Sequence, residues 1–145
     1  MDLSNISNIL VDVKNNEFDM PGFPGMTISL NYLGRDKLTA IRDSCTTRKR
    51  KKNTNNKYEM VDDLDSDKFQ KEYIESVLVG WTGLTLHYLE KLVPMEVPVN
   101  TDMSQEVPFS KASAVGLMLN GSVVDNVVTE FLADLESFNE KRIAS

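Results

Sequence analysis

The chain has one cysteine, Cys45, one histidine, His87, and one tryptophan, Trp81, and its apolar runs are all short. A single cysteine excludes a disulfide within the chain and fits a reducing compartment. A single histidine excludes a metal cluster built on several imidazoles. A bilayer span needs about 18 or more nearly uninterrupted apolar residues, and no segment approaches that. The opening Met1-Asp2-Leu3-Ser4-Asn5 lacks the cations and apolar block of a secretory signal, so a cytoplasmic location is expected. The glycine pairs at 22 and 25, 80 and 83, and 116 and 121 match no phosphate-cradling fingerprint. His87, set between Leu86 and Tyr88, reads as a partly buried structural residue. Cys45 closes an apolar helical stripe and reads as an inert buried thiol. Asp62, Asp63, Asp65 and Asp67 cluster without the glycine and glutamate of a calcium loop, and acids at a helix N-terminus suit its dipole. The reading is of a non-enzyme with no catalytic residue, cofactor or metal site.

What is present is charge, unevenly placed. Over 145 residues the net charge is −6, yet Arg48-Lys49-Arg50-Lys51-Lys52 puts five cations in a row, and without them the total would be −11. An acidic body of that kind repels nucleic acid. The basic run, followed by Asn53-Thr54-Asn55-Asn56, reads as a solvated flexible loop over residues 48–63. Tyr58 and Met60 are expected to dock back, and no aromatic platform for bases is expected. Where the loop has a partner, an acidic protein segment is favoured over nucleic acid.

Periodicity gives the rest. Residues 1–8 are polar and are expected to fray. Ile9, Val11 and Val13 alternate with polar or outward positions, as do Met26, Ile28, Leu30 and Tyr32, and between them Met20-Pro21-Gly22-Phe23-Pro24-Gly25 demands turns. A small β-hairpin over 9–33 follows. Helical spacing then sets in at Leu38, Ile41 and Cys45 (helix 35–47). Asp65 or Ser66 caps a stripe running from Phe69 to Trp81, which Gly80 and Gly83 interrupt as a bend or helix end. Leu84, Tyr88, Leu89 and Leu92 form a short stripe stopped by Pro94. Residues 93–108 are extended, Ser110 caps a helix ending at Asn120-Gly121, and Ser122 with Asp125 resembles a capping box for a helix from Val123 to Phe138. The expected fold is therefore mainly α (α+β), four to five helices with a small N-terminal β-hairpin, in one domain over 1–145 whose region 65–145 is helical.

Three blocks stand in a particular order. The first is Pro21-Gly22-Phe23-Pro24-Gly25, the strand Met26 to Leu33, and the helix ending Arg42-Asp43-Ser44-Cys45-Thr46-Thr47. The second is Val79-Gly80-Trp81-Thr82-Gly83-Leu84, and the third is Val107-Pro108-Phe109-Ser110 with Phe131 to Phe138. Across roughly residues 20 to 139, this order resembles the tail assembly chaperones of long-tailed bacteriophages. The uninterrupted basic run departs from the more mixed loop of that family.

The resemblance implies a small non-enzymatic protein of the host cell cytoplasm, absent from the mature virion. It implies a partner, the phage tape measure protein, which the chaperone keeps soluble while tail tube protein is recruited around it. It also implies self-association and a longer frameshifted isoform. The apolar stripes fit such a role, because a holdase meets its partner's helices through apolar faces. Trp81, Leu84, Tyr88, Val124, Val128 and Phe131 are the expected partner-binding residues, with Trp81 read as core keystone or contact anchor. The alternative is a structural virion component, a tail terminator or head–tail connector.

Overall fold

Two Pro-Gly pairs build the first hairpin. Met20-Pro21-Gly22-Phe23 and Phe23-Pro24-Gly25-Met26 each close with a backbone hydrogen bond from fourth to first residue (both 3.1 Å), with Gly22 and Gly25 at φ +81° and +83°. These are successive type II turns, in which proline presets the first corner and glycine takes the left-handed second one. They join β1 (Val13–Asp19) to β2 (Thr27–Leu33) in antiparallel register, Phe18 opposite Ile28. The computed structural model of the chain describes residues 2–139, so the end of the expected helical region, 140–145, lies outside the described residues.

The architecture is α+β rather than mainly α. Among the described residues, five helices accompany five strands in two sheets. Besides β1 and β2 there are α1 (Arg35–Ser44), β3 (Thr46–Lys52), β4 (Tyr58–Leu64), α2 (Ser66–Val77) and β5 (Leu78–Thr82). They are followed by α3 (Leu86–Leu92), α4 (Lys111–Asn120) and α5 (Ser122–Leu132), and 3-10 segments occupy Leu3–Asn8 and Leu135–Phe138. Leu78–Thr82 departs from the sequence expectation. Expected as the end of a helix, it is a strand that pairs antiparallel with β2, Ile28 opposite Trp81, in the sheet order β1-β2-β5. A lone two-stranded hairpin is marginal; the third strand satisfies the open edge of β2 and makes that strand central. Its residues Ile28 and Leu30 are accordingly buried, 1% exposed or less.

The basic segment expected as a flexible loop over residues 48–63 is ordered. Residues 46–64 form an antiparallel ribbon of β3 and β4, with Arg48 opposite Asp62 and Lys51 opposite Glu59. Asn53 shapes its turn: its side-chain oxygen accepts from the Asn55 and Lys57 amides, both at 3.0 Å, while Asn56 takes φ +60°. Opposite charges facing across strands stabilise such a pair, which is why a run of like charge need not stay unfolded here. Tyr58 and Met60 do not dock back; both are exposed.

The ends of elements differ in smaller ways. The N-terminal residues form a 3-10 segment capped by the Asp2 carboxylate on the Ser4 amide at 2.9 Å, and the first strand begins at Val13 rather than Ile9. Helix α1 stops at Ser44, short of residue 47, because Thr46 enters β3. Asp65 caps α2 (Lys68 amide, 3.1 Å) and Ser110 caps α4 (Ser113 amide, 3.0 Å). The expected Ser122 capping box is absent: Ser122 is already helical, and Gly121 precedes it with no side-chain cap. The last stripe breaks at Leu132, so Phe138 returns on a 3-10 turn to stack edge-on against Phe18, ring centroids 5.1 Å apart.

A single apolar cluster joins the inner side of the sheet to α2, α4 and α5, and each fully buried large apolar side chain in it contributes about 1.5 to 3 kcal/mol. Among the described residues no helix is long and apolar enough to cross a membrane.

Candidate functional site

An open apolar groove of about 360 Å³ runs between α3 and α4, with Trp81 and Leu84 beneath it and Leu89, Val93, Pro94, Val107, Gly116 and Leu117 around it. Its construction begins at Gly83. There the chain turns from β5 toward α3 at φ +72°, and a Cβ on this residue would lie 2.0 Å from the Gly25 carbonyl oxygen. Only glycine allows the corner to sit against the Pro-Gly loop at that distance. Directly after it Leu84 enters the core, and the Thr85 hydroxyl caps α3 by accepting from the Tyr88 amide at 3.3 Å.

The extended segment after α3 is strapped to this corner. The Val107 amide donates to the Leu84 carbonyl at 2.7 Å, and the Leu86 and His87 amides donate to the Gln105 and Met103 carbonyls, each at 3.0 Å. Trp81 fixes the far end of the strap. Its indole N–H donates to the Val107 carbonyl at 2.9 Å, and its ring meets Phe109 edge-on at 4.8 Å between centroids. A tryptophan held on its polar edge and by a second ring is rigid, and its remaining face forms the groove floor. On the α4 wall, Gly116 leaves the space clear: a Cβ there would meet nothing within 4 Å.

The expected contact residues therefore divide. Trp81 and Leu84 come together in the groove, each 8% exposed or less. Tyr88 faces the neighbouring hollow; its hydroxyl donates to the Pro24 carbonyl at 2.6 Å and its ring packs on Phe23, so it ties α3 to the Pro-Gly loop. Val124 and Val128 are wholly buried core and closed to a partner in this fold. Phe131 is half-buried and stacked on Phe18, centroids 4.2 Å apart, which fastens α5 to the sheet. Leu89, Val93, Pro94, Val107, Gly116 and Leu117 were not among the expected contact residues. Their grouping depends on the strap crossing β5, which no periodicity encodes; only the apolar positions of the strap, Val107 and Phe109, hinted at it.

Reactive groups lie elsewhere. Cys45 is buried at the C-terminus of α1, where its thiol donates to the Glu72 carboxylate at 3.2 Å and the Ser44 hydroxyl donates to the same oxygen at 2.8 Å. Burial pushes the thiol up from its ordinary value, and the nearby Glu72 charge adds to that, so it stays protonated at neutral pH. The hydrogen bonds from Ser44 and then Cys45 hold the Glu72 carboxyl below its usual value. His87 is exposed rather than partly buried, because α3 turns it outward while Leu84 and Leu92 take the core. The four aspartates are split among β4 (Asp62, Asp63), the α2 cap (Asp65) and its first turn (Asp67). Among the described residues no three His, Cys, Asp or Glu side chains gather as metal ligands.

Comparison with protein-family models, with curated proteins and with solved structures found no match.

Proposed function

We propose that this chain is a non-enzymatic, protein-binding chaperone whose Trp81 groove receives an apolar helix of its client. The groove carries the proposal: it is mostly apolar, with Ser113 and Asn120 as its polar members, open to solvent, floored by a fixed tryptophan, and left clear where Gly116 lacks a side chain. Grooves of this kind take the apolar stripe of an amphipathic helix, with anchor side chains at helical spacing. The resemblance of the ordered sequence blocks to phage tail assembly chaperones supports naming the client as the phage tape measure protein, with tail tube protein recruited afterwards. On this reading the protein acts in the host cytoplasm and leaves before the virion is complete.

Co-expression tests it. The soluble fraction of the tape measure protein is expected to rise when the chain is present, and the two are expected to co-purify. No gain in solubility and no co-purification would overturn the proposal. Mass spectrometry of purified particles addresses the virion alternative, since a terminator or connector is retained there and a chaperone is not.

A further inference from the structure

The β3–β4 ribbon concentrates positive charge on an otherwise acidic chain. Thr46–Leu64 holds six cations and three acids, whereas the remaining residues total −9. Ion pairing divides the ribbon along its length. At its base, Arg48 and Lys49 are met by Asp62 and Asp63, at 3.8 and 2.7 Å. Toward its tip, Arg50, Lys51, Lys52 and Lys57 share the strands and turn with one acid, Glu59, and among the described residues they form no ion pair. Cross-strand partners share a face, so Arg50 stands beside Met60 and Lys52 beside Tyr58. The Arg50 guanidinium also lies over the Tyr58 ring, 4.4 Å from its centroid. Tyr58 and Met60 are 59% and 53% exposed. A ribbon guarding its edges against unwanted pairing needs only the charges; this one also presents on one face an apolar pair, Tyr58 and Met60, flanked by Arg50 and Lys52.

A surface of the reverse character lies on the same chain. From Ser122 to Asn139, α5 and the following 3-10 turn carry no lysine or arginine; Glu130, Asp134 and Glu136 are exposed toward its C-terminal end, where Lys14 of β1 reaches Asn139, while Asp125, also exposed, lies toward Tyr73. Leu135, 46% exposed, stands between two of those acids. We propose that the ribbon tip of one copy docks on the acidic surface at the end of α5 and the 3-10 turn of a second copy, with Tyr58 and Met60 against Leu135 and with Arg50 and Lys52 against Glu130, Asp134 and Glu136. The same negative body that disfavours a polyanion is what the ribbon fits. Because the two patches differ, the contact is heterologous: each copy keeps one ribbon and one acidic face to offer, and assembly proceeds as chains of copies rather than closed pairs. The contact does not use the Trp81 groove and stands or falls apart from the client proposed for it.

Sedimentation of the full chain over a concentration series tests this, at about 50 mM and about 500 mM salt, where screening lengths differ severalfold. Concentration-dependent oligomers are expected at low salt, with dissociation at least about tenfold easier at high salt. Two charge reversals sharpen the result: Arg50→Glu with Lys51→Glu and Lys52→Glu, and separately Asp134→Lys with Glu136→Lys. Each variant alone is expected to be a folded monomer by circular dichroism, while a mixture of the two associates again, because the native ribbon of one variant meets the native acidic face of the other and the two reversed patches are once more of opposite sign. A monomer at every concentration in low salt, or oligomers that neither reversal weakens, would overturn the proposal. So would a ribbon-dependent shift of a single-stranded oligonucleotide by a chain that stays monomeric, which would make the ribbon a nucleic-acid site.

Discussion

The Gly25 carbonyl oxygen sits 2.0 Å from the position a Cβ on Gly83 would occupy, at a residue whose φ is +72°. Two penalties therefore fall on any side chain at 83, a backbone conformation disfavoured for L residues and a collision with main chain. Gly83→Ala is expected to lower unfolding free energy by roughly 3 kcal/mol in urea titration. Gly80→Ala is the control: its φ is not positive and its Cβ would meet only the Ser29 Cβ at 3.4 Å, so a change under about 1 kcal/mol is expected. Equal effects at the two positions would refute the account of the corner.

Trp81 is predicted to hold the strap through its N–H as well as its ring. Trp81→Phe keeps an aromatic ring but leaves the Val107 carbonyl without its donor, with an expected loss of about 1 to 3 kcal/mol. Hydrogen exchange gives the specific readout: the Val107 amide, bonded to the Leu84 carbonyl, is expected to lose protection ahead of the β1–β2 ladder. Uniform loss across both would mean that the strap is not a separable element.

Glu72 gives a pH dependence whose sign is fixed. Its carboxyl is held below the ordinary value of 4.5 by the Ser44 and Cys45 hydrogen bonds. A group depressed in the folded state adds stability above its unfolded value and loses it as pH falls through the folded value. Glu72→Gln is therefore expected to be less stable than the parent at pH 7, with the gap closing as pH drops below about 4. A gap that stays constant down to acid would show that the carboxylate charge is not what the two donors recognise.

Gly116 separates stability from binding. Alanine in the interior of α4 gains about 1 kcal/mol over glycine from helix propensity, and here its Cβ meets nothing, so Gly116→Ala is expected to raise the melting temperature. A tryptophan at the same position keeps most of that helix preference while its side chain fills the groove.

Much of the fold could be read from spacing alone. The two Pro-Gly turns, the alternation of Met26, Ile28 and Leu30, the caps at Asp65 and Ser110, and the break at Asn120-Gly121 are local signals, and local structure obeys them. Leu78–Thr82 could not be read in this way. Val77, Leu78 and Trp81 keep helical spacing, and what makes the segment a strand is the unpaired edge of β2, some fifty residues earlier. The ribbon failed for another reason. Hydrophobic period carries no information where both faces meet water, and the available signal was electrostatic: a run of five cations and, across an Asn-rich turn, the three acids Glu59, Asp62 and Asp63. At the candidate site Trp81 and Leu84 were legible as a conspicuous apolar pair at a glycine corner. Val124 and Val128 were mistaken for contact residues because an amphipathic stripe does not say whether its own chain or a partner covers it.

The most direct test of the central claim is a paired affinity capture of the co-expressed phage tape measure protein by Gly116→Ala and by Gly116→Trp, each first shown to be folded. The groove account predicts capture by the alanine variant at the parent level and a drop of at least about tenfold, roughly 1.4 kcal/mol, for the tryptophan variant. Equal capture by both would contradict it.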